Sequence, residues 1–387
     1  MPSFRCLRLL LLTAAISSAA LGSAAAQTAV PPAPGGAPGH AAQAGAVPAG
    51  QPRPVTLDAV VVEKRTKGPH FPIGNLQEKD FTVLDNGKPQ QLVGFRAVDT
   101  VAHPDAVHVL IVVDMINTQF DRIAYMREQL GEFLRENGGK LAHPTSLAIM
   151  SENGASLLGT YTYDGNGLNA AFQKVGTDMR DIGRSAGFYG MTERIGMSLN
   201  AIRRIVAYES TQPGRKLVIV ISPGWRMLPM AGVEEDMGQR DWVFNILTQM
   251  TNEIREGHVT LYSVDPLELG NRDPFFYQAF LKPVKKPQQG EFPTLALQLF
   301  AVHSGGQALT NGHDVKGQLD AAMRDAGPYY ELMLAPQGSG EPNEYHEIQV
   351  RLDQPDEVAR AQAGFYTNVR PVSEGKTRKS TKIAKPH

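Results

Sequence analysis

The sequence predicts an α/β domain with a doubly wound, mostly parallel sheet and helices on both faces, inserted between two halves of a small β-sandwich. Three observations lead there. Between residues 105 and 327, near-continuous apolar runs of strand length alternate with amphipathic helix patterns, as in a sheet covered on both faces. On either side, over residues 55–104 and 328–369, the segments are short, alternating, β-rich and separated by turn residues. Neither flank alone has enough strands to bury a core, so the simplest assembly joins the two.

Taken from the N-terminus, residues 1–26 read as a secretory signal peptide. Arg5 and Arg8 precede the apolar run "LRLLLLTAAISSAALG", and Ala24, Ala25 and Ala26 supply small residues before Gln27. Residues 27–54 are almost wholly Ala, Pro, Gly and Gln, a composition that buries too little surface to offset ordering entropy, and read as a disordered linker. The first β-rich part holds "VTLDAVVVEK" (55–64) and "FTVLDNGKPQQLVGFRAV" (81–98), where Asp85-Asn86-Gly87 is a hairpin signal. The second holds "YYELMLAP" (329–336), "HEIQVRL" (346–352) and "VARAQAGFY" (358–366).

In the middle, strands are expected at 107–114, 146–151, 157–163, 216–222, 259–265 and 306–309. Helices are expected at 121–136, 167–175, 192–208, 241–256, 294–303 and 314–326; in the first, Ile123, Met126, Leu130, Phe133 and Leu134 form one stripe. Residues 370–387 carry six Lys or Arg against one Glu and have no apolar period. Such a basic tail reads either as a solvated, disordered end or as a segment that touches anionic lipid or polysaccharide.

Composition removes several classes of function. The chain has 387 residues, 42% hydrophobic and 20% charged. Without residues 1–26 it keeps 36 basic residues against 39 acidic ones, a balance that points to no nucleic acid. The single cysteine, Cys6, lies in the predicted signal, so the mature chain has no disulfide, thiolate or cysteine metal ligand. After the signal no apolar run reaches the roughly 18 residues of a membrane span, and the product is expected in the periplasm or outside the cell. There is no G-x-S-x-G elbow and no G-x-x-x-x-G-K-[ST] loop. His103, His108, His143, His303 and His313 have no close ligand spacing.

The stretch "HVLIVVDMINTQF" (108–120) carries the site, because ligands of open α/β sheets sit at the carboxyl ends of strands and Asp114 ends one. Three readings compete. An isochorismatase-like hydrolase needs a cysteine nucleophile that the mature chain lacks. A haloacid-dehalogenase-like phosphate-ester hydrolase would use Asp114 as nucleophile, but Ile116 stands at its second acidic position and no lysine and paired-acid loop is found for Mg²⁺.

The third reading is a von Willebrand factor A (vWA) domain. "DMINT" supplies Asp114 and Thr118, "YGMTERIGMSLNAI" supplies Gly190 and Thr192 before a helix, and "RKLVIVISPGW" matches a later strand of that domain. The match continues with "EKDFTVLDNGKPQQLVGF" before it, "VTLYSVDP" within it, and then "LFAVHSGGQAL", "YYELMLAP" and "ARAQAGFY", in the order seen in bacterial secreted vWA-related proteins, which the chain resembles over residues 55–369.

The resemblance implies a metal-ion-dependent adhesion site built from Asp114, Thr118 and Thr192. Two positions depart from its pattern: Ile116 replaces a coordinating serine, and Pro223 stands where a second aspartate belongs. With one carboxylate the site should hold Mg²⁺ weakly, helped by Asn117 or Ser222 as neutral oxygen donors; a micromolar affinity would instead point to a further carboxylate from the 234–241 loop. The competing reading is a fold-retaining loop whose threonines cap helices and bond backbone. Trp225 and Arg226, followed by Met227, Leu228 and Met230, read either as partner-binding anchors or, for the indole, as packing over the sheet end.

The function expected is therefore non-catalytic binding of a protein or cell-envelope macromolecule. Its alternatives are the phosphate-ester hydrolase using Asp114 and a structural subunit with a dead adhesion site.

Overall fold

The computed structural model describes residues 28–29, 54–64, 68–103, 106–118, 120–175, 188–225, 235–266, 275–310, 314–336, 338 and 340–369. The predicted signal peptide, most of the 27–54 linker, Arg226 to Glu234 and the basic tail lie outside the described residues. Of the linker, Thr28–Ala29 forms a two-residue strand, β1, where the composition predicts no structure.

The central sheet is built on β6 (Val107–Asp114), which pairs in parallel with β7 (Lys140–Ser151) on one side and β10 (Arg215–Ile221) on the other. Beyond β10 follow β11 (Val259–Val264) and β12 (Ala308–Leu309), both parallel; beyond β7 lies the antiparallel β8 (Gly154–Leu157), paired with β1, while β9 (Thr162–Asp164) also pairs with β7. The chain leaves β6 toward β7 and later returns to the opposite side of β6 as β10. Strand order reverses there, so the ends of β6 and β10 form a topological switch point.

One difference from expectation lies at 157–163, predicted as a single strand. It is split, because Ser151 pairs with Gly154 across a two-residue turn that folds β8 back onto β7. Gly154 has φ +100°, which an Asn-Gly sequence accommodates.

Both faces of the sheet are covered because its strands are apolar on both. Leu110, Val112, Val218 and Val220 pack with Ile195, Leu199 and Ile202 of α3 (Phe188–Glu209), Phe244 and Leu247 of α4 (Met237–Glu256) and Phe300 of α5 (Leu297–His303). On the other face Val109, Ile111, Val113 and Ile219 meet Met126, Leu130 and Leu134 of α1 (Phe120–Arg135), Phe172 of α2 (Gly165–Gln173) and Leu319 of α6 (Val315–Arg324).

The β-rich flanks pair with one another. β2 (Val55–Glu63) lies between β13 (Tyr329–Leu334) and β15 (Glu357–Arg360), and β13 also pairs with β5 (Leu92–Val98). A second four-stranded sheet runs β16 (Gly364–Thr367), β14 (Glu344–Leu352), β3 (Phe81–Asp85), β4 (Lys88–Gln90). The two sheets share an apolar cluster that includes Leu57, Val61, Val83, Leu332, Ile348 and Phe365.

These sheets meet the α/β unit at the amino end of its parallel strands. His258, just before β11, has Nδ1 3.2 Å from the carboxylate of Asp58 in β2. Arg360 of β15 donates to buried Asp325 at 2.6 Å, which also accepts from Tyr262 at 2.7 Å. Near the last turn of α4, Asn252 donates to the Tyr366 carbonyl at 2.6 Å and accepts from its N–H at 3.0 Å.

Candidate functional site

Asp114 is the last residue of β6, at the switch point, and is completely buried. Its two oxygens accept four hydrogen bonds. Oδ1 accepts from the backbone N–H groups of Ile116 (2.8 Å) and Asn117 (3.1 Å), which turns the chain sharply after the strand. Oδ2 accepts from Asn117 Nδ2 (2.7 Å) and Ser222 Oγ (2.6 Å). Burial pushes the Asp114 carboxyl above the usual carboxylate range, and the bonds from Ser222 and Asn117 oppose that rise.

Each partner is tied onward. Asn117 Nδ2 also reaches Ser198 Oγ on α3 at 2.9 Å, and Ser198 is fully buried. Ser222, the residue after β10, accepts from the Gly224 N–H at 2.9 Å. Three elements, β6, the end of β10 and α3, thus converge on one carboxylate. Ser198 is a site residue that sequence reasoning missed: a serine on an amphipathic helix leaves no spacing signal.

The expected ligand positions separate into those brought together and those not. Asn117 and Ser222 contact Asp114, but both as donors, whereas a role as neutral oxygen ligands was expected. Thr118 is buried in the same loop. Thr192 lies inside the first turns of α3 and is not its N-cap. Ile116 is buried in the apolar cluster under α3, and Pro223 brings no side-chain donor. In the acidic loop, Glu235 accepts from the Phe292 N–H at 2.8 Å and Asp236 caps α4 through the Gln239 N–H at 2.8 Å. Among the described residues no group of three or more His, Cys, Asp or Glu side chains is arranged to hold a metal ion.

The donor set does not suit a hard cation. Mg²⁺ asks for near-octahedral oxygen ligands, and here the one carboxylate faces N–H and O–H protons on both oxygens. Trp225 has two readings from the sequence, a partner-binding anchor and an indole packed over the sheet end. Its side chain is only 4% exposed, within the cluster under α4 and α5, and its Nε1 donates to the Leu295 carbonyl at 2.7 Å. The indole is committed to the core because a buried N–H needs this partner. Arg226 lies outside the described residues.

No protein-family model matches the chain, and no curated protein matches it. Among solved structures it is similar to the SpRpn10 VWA domain, at 13% identity and TM-score 0.27, covering 57% of this chain and 97% of that one. It is also similar to the TFIIH p34 N-terminal domain, at 9% identity and TM-score 0.26, again over 57% of this chain and 97% of the other. At such scores the description of the fold rests on the strand order and register given above.

Proposed function

We propose that this chain is a secreted or periplasmic vWA-type interaction protein: an α/β module inserted in a β-sandwich, non-catalytic, that binds a protein or cell-envelope macromolecule through the carboxyl end of its sheet. The observation that carries the reading is the polarity of the assembly. The flanking sheets engage the amino end through Asp58–His258, Arg360–Asp325 and Asn252–Tyr366, which leaves the carboxyl end, with its switch point, to a partner. Near that end the first turns of α4 expose Met237 (51%) and Trp242 (39%), residue types that serve as anchors in interfaces.

The hydrolase alternative asks Asp114 to attack a phosphorus atom. A carboxylate wholly enclosed, with four donors on its oxygens, is poorly placed for that. The test is a pull-down from cell envelope and medium with the mature protein and its Trp242→Glu variant, beside a panel of phosphate esters with Mg²⁺. A discrete partner retained by the wild type and lost by Trp242→Glu, without turnover, is expected. Turnover abolished by Asp114→Asn would overturn the reading.

A further inference from the structure

We infer that an internal hydrogen-bonded latch fills the place of the metal in a vWA-type site, so that Asp114 ties β6, β10 and α3 together without an ion. The inference rests on reading this switch point as such a site. Its test needs no partner, so a failed partner search and a failed latch remain distinct results.

Four observations carry it. Oδ2 of Asp114 would have to release Asn117 Nδ2 (2.7 Å) and Ser222 Oγ (2.6 Å) to face a cation, and Oδ1 is turned to two backbone N–H groups. The amide hydrogens of Asn117 carry partial positive charge and repel a cation from the same space, while supplying the carboxylate with the compensation that a buried charge needs. Ser222 spends its proton on Asp114 and a lone pair on the Gly224 N–H. Gly224, at φ +75°, lies so close to α5 that an added Cβ would stand 2.7 Å from the Gln298 amide. Ile116 completes the exchange: where an adhesion site places a hydroxyl, this chain inserts an apolar side chain into the core.

The latch brings three elements to the carboxyl end in one arrangement whatever the ionic conditions, so recognition there should not respond to chelators. The experiment is a calorimetric titration of the full chain with Mg²⁺ and with Mn²⁺, together with thermal melts in chelator and in about 10 mM Mg²⁺, roughly ten times the weak-end dissociation constant of a hard-cation site. The wild type should give no saturable heat and the same melting temperature in both buffers. Asn117→Ala and Ser222→Ala should each melt lower, by an amount that ignores metal. A saturable Mg²⁺-dependent rise in the wild type that Asp114→Asn abolishes would overturn the latch, and so would an Asn117→Ala protein that melts like the wild type. The wild-type titration decides the matter even where a variant fails to fold.

Discussion

At the scale of single residues, the interior of this protein holds carboxylates whose fates differ with their partners. Asp114 has four donors. Glu209, fully buried at the end of α3, has a hydrogen bond from Tyr161 at 2.6 Å to one oxygen and no partner for the other. Burial pushes Glu209 up to about 7, against the Tyr161 bond and the charge of Lys216, which lower it. An acid whose folded pKa is raised binds its proton more tightly folded than unfolded, so stability falls as pH rises from the unfolded value toward about 7 and the penalty is constant above it. Glu209→Gln should therefore be more stable than the wild type at pH 8 by about 1–3 kcal/mol, with the gain vanishing near pH 5, in urea unfolding followed across that range. Equal pH profiles for the two proteins would contradict this assignment. By the same logic Asn117→Ala should cost about 1–3 kcal/mol, since it removes a donor from a buried carboxylate. Asp114 and its loop were legible in the sequence because an aspartate ending an apolar strand is a strong signal. The direction of the bonds from Asn117 and Ser222 was not, since an amide or hydroxyl both donates and accepts until its neighbours are placed. Trp225 was ambiguous for a related reason: an aromatic beside an arginine in a loop reads alike as an anchor and as core.

At the scale of elements, the apolar period was enough to find the six α-helices and the parallel strands of the described residues. α4, for instance, begins four residues earlier than expected because Asp236 and Gln239 form a capping box ahead of its apolar stripe. Missed was the hairpin at Glu152-Asn153, hidden because the apolar run resumes directly beyond it. Glycine is required where α3 hands the chain to β10. Gly214 has φ +69°, and a Cβ there would overlap the Ala106 carbonyl oxygen. Gly214→Ala should cost about 1–3 kcal/mol through strain and overpacking, measured by urea denaturation, with helix content in native buffer unchanged. A shift within about 0.3 kcal/mol would mean that the loop relaxes freely.

At the scale of the whole molecule, strands from the two ends of the chain depend on each other. β2 has β13 and β15 as its neighbours, so deleting residues 329–369 strips both from it and also leaves β5 without its pair. The truncated chain should aggregate and lose cooperative unfolding; a soluble product with unchanged unfolding would show that the flanks are independent. The long-range pairing was legible only as an argument from insufficiency, because nothing local in "VTLDAVVVEK" names its partner strand. The joint to the α/β unit is polar. Burial disfavours ionised Asp325, but the charge and hydrogen bond of Arg360 outweigh it and hold the carboxyl below its ordinary range. Arg360→Ala leaves that charge enclosed and should cost about 3–5 kcal/mol. At the same joint the bond to Asp58 raises the His258 pKa, so its contribution is present below the unfolded histidine value and is lost as pH rises through the folded one.

The most direct test of the proposed binding role places a photo-crosslinking side chain at Met237, near the carboxyl end of the sheet, and separately at Val93, exposed on β5 of the flanking sheet. Each protein is irradiated in envelope extract with Mg²⁺ and with chelator. A discrete adduct is expected at Met237 in both buffers and none at Val93. Adducts confined to Val93, or an adduct at Met237 that disappears with chelator, would contradict the binding role.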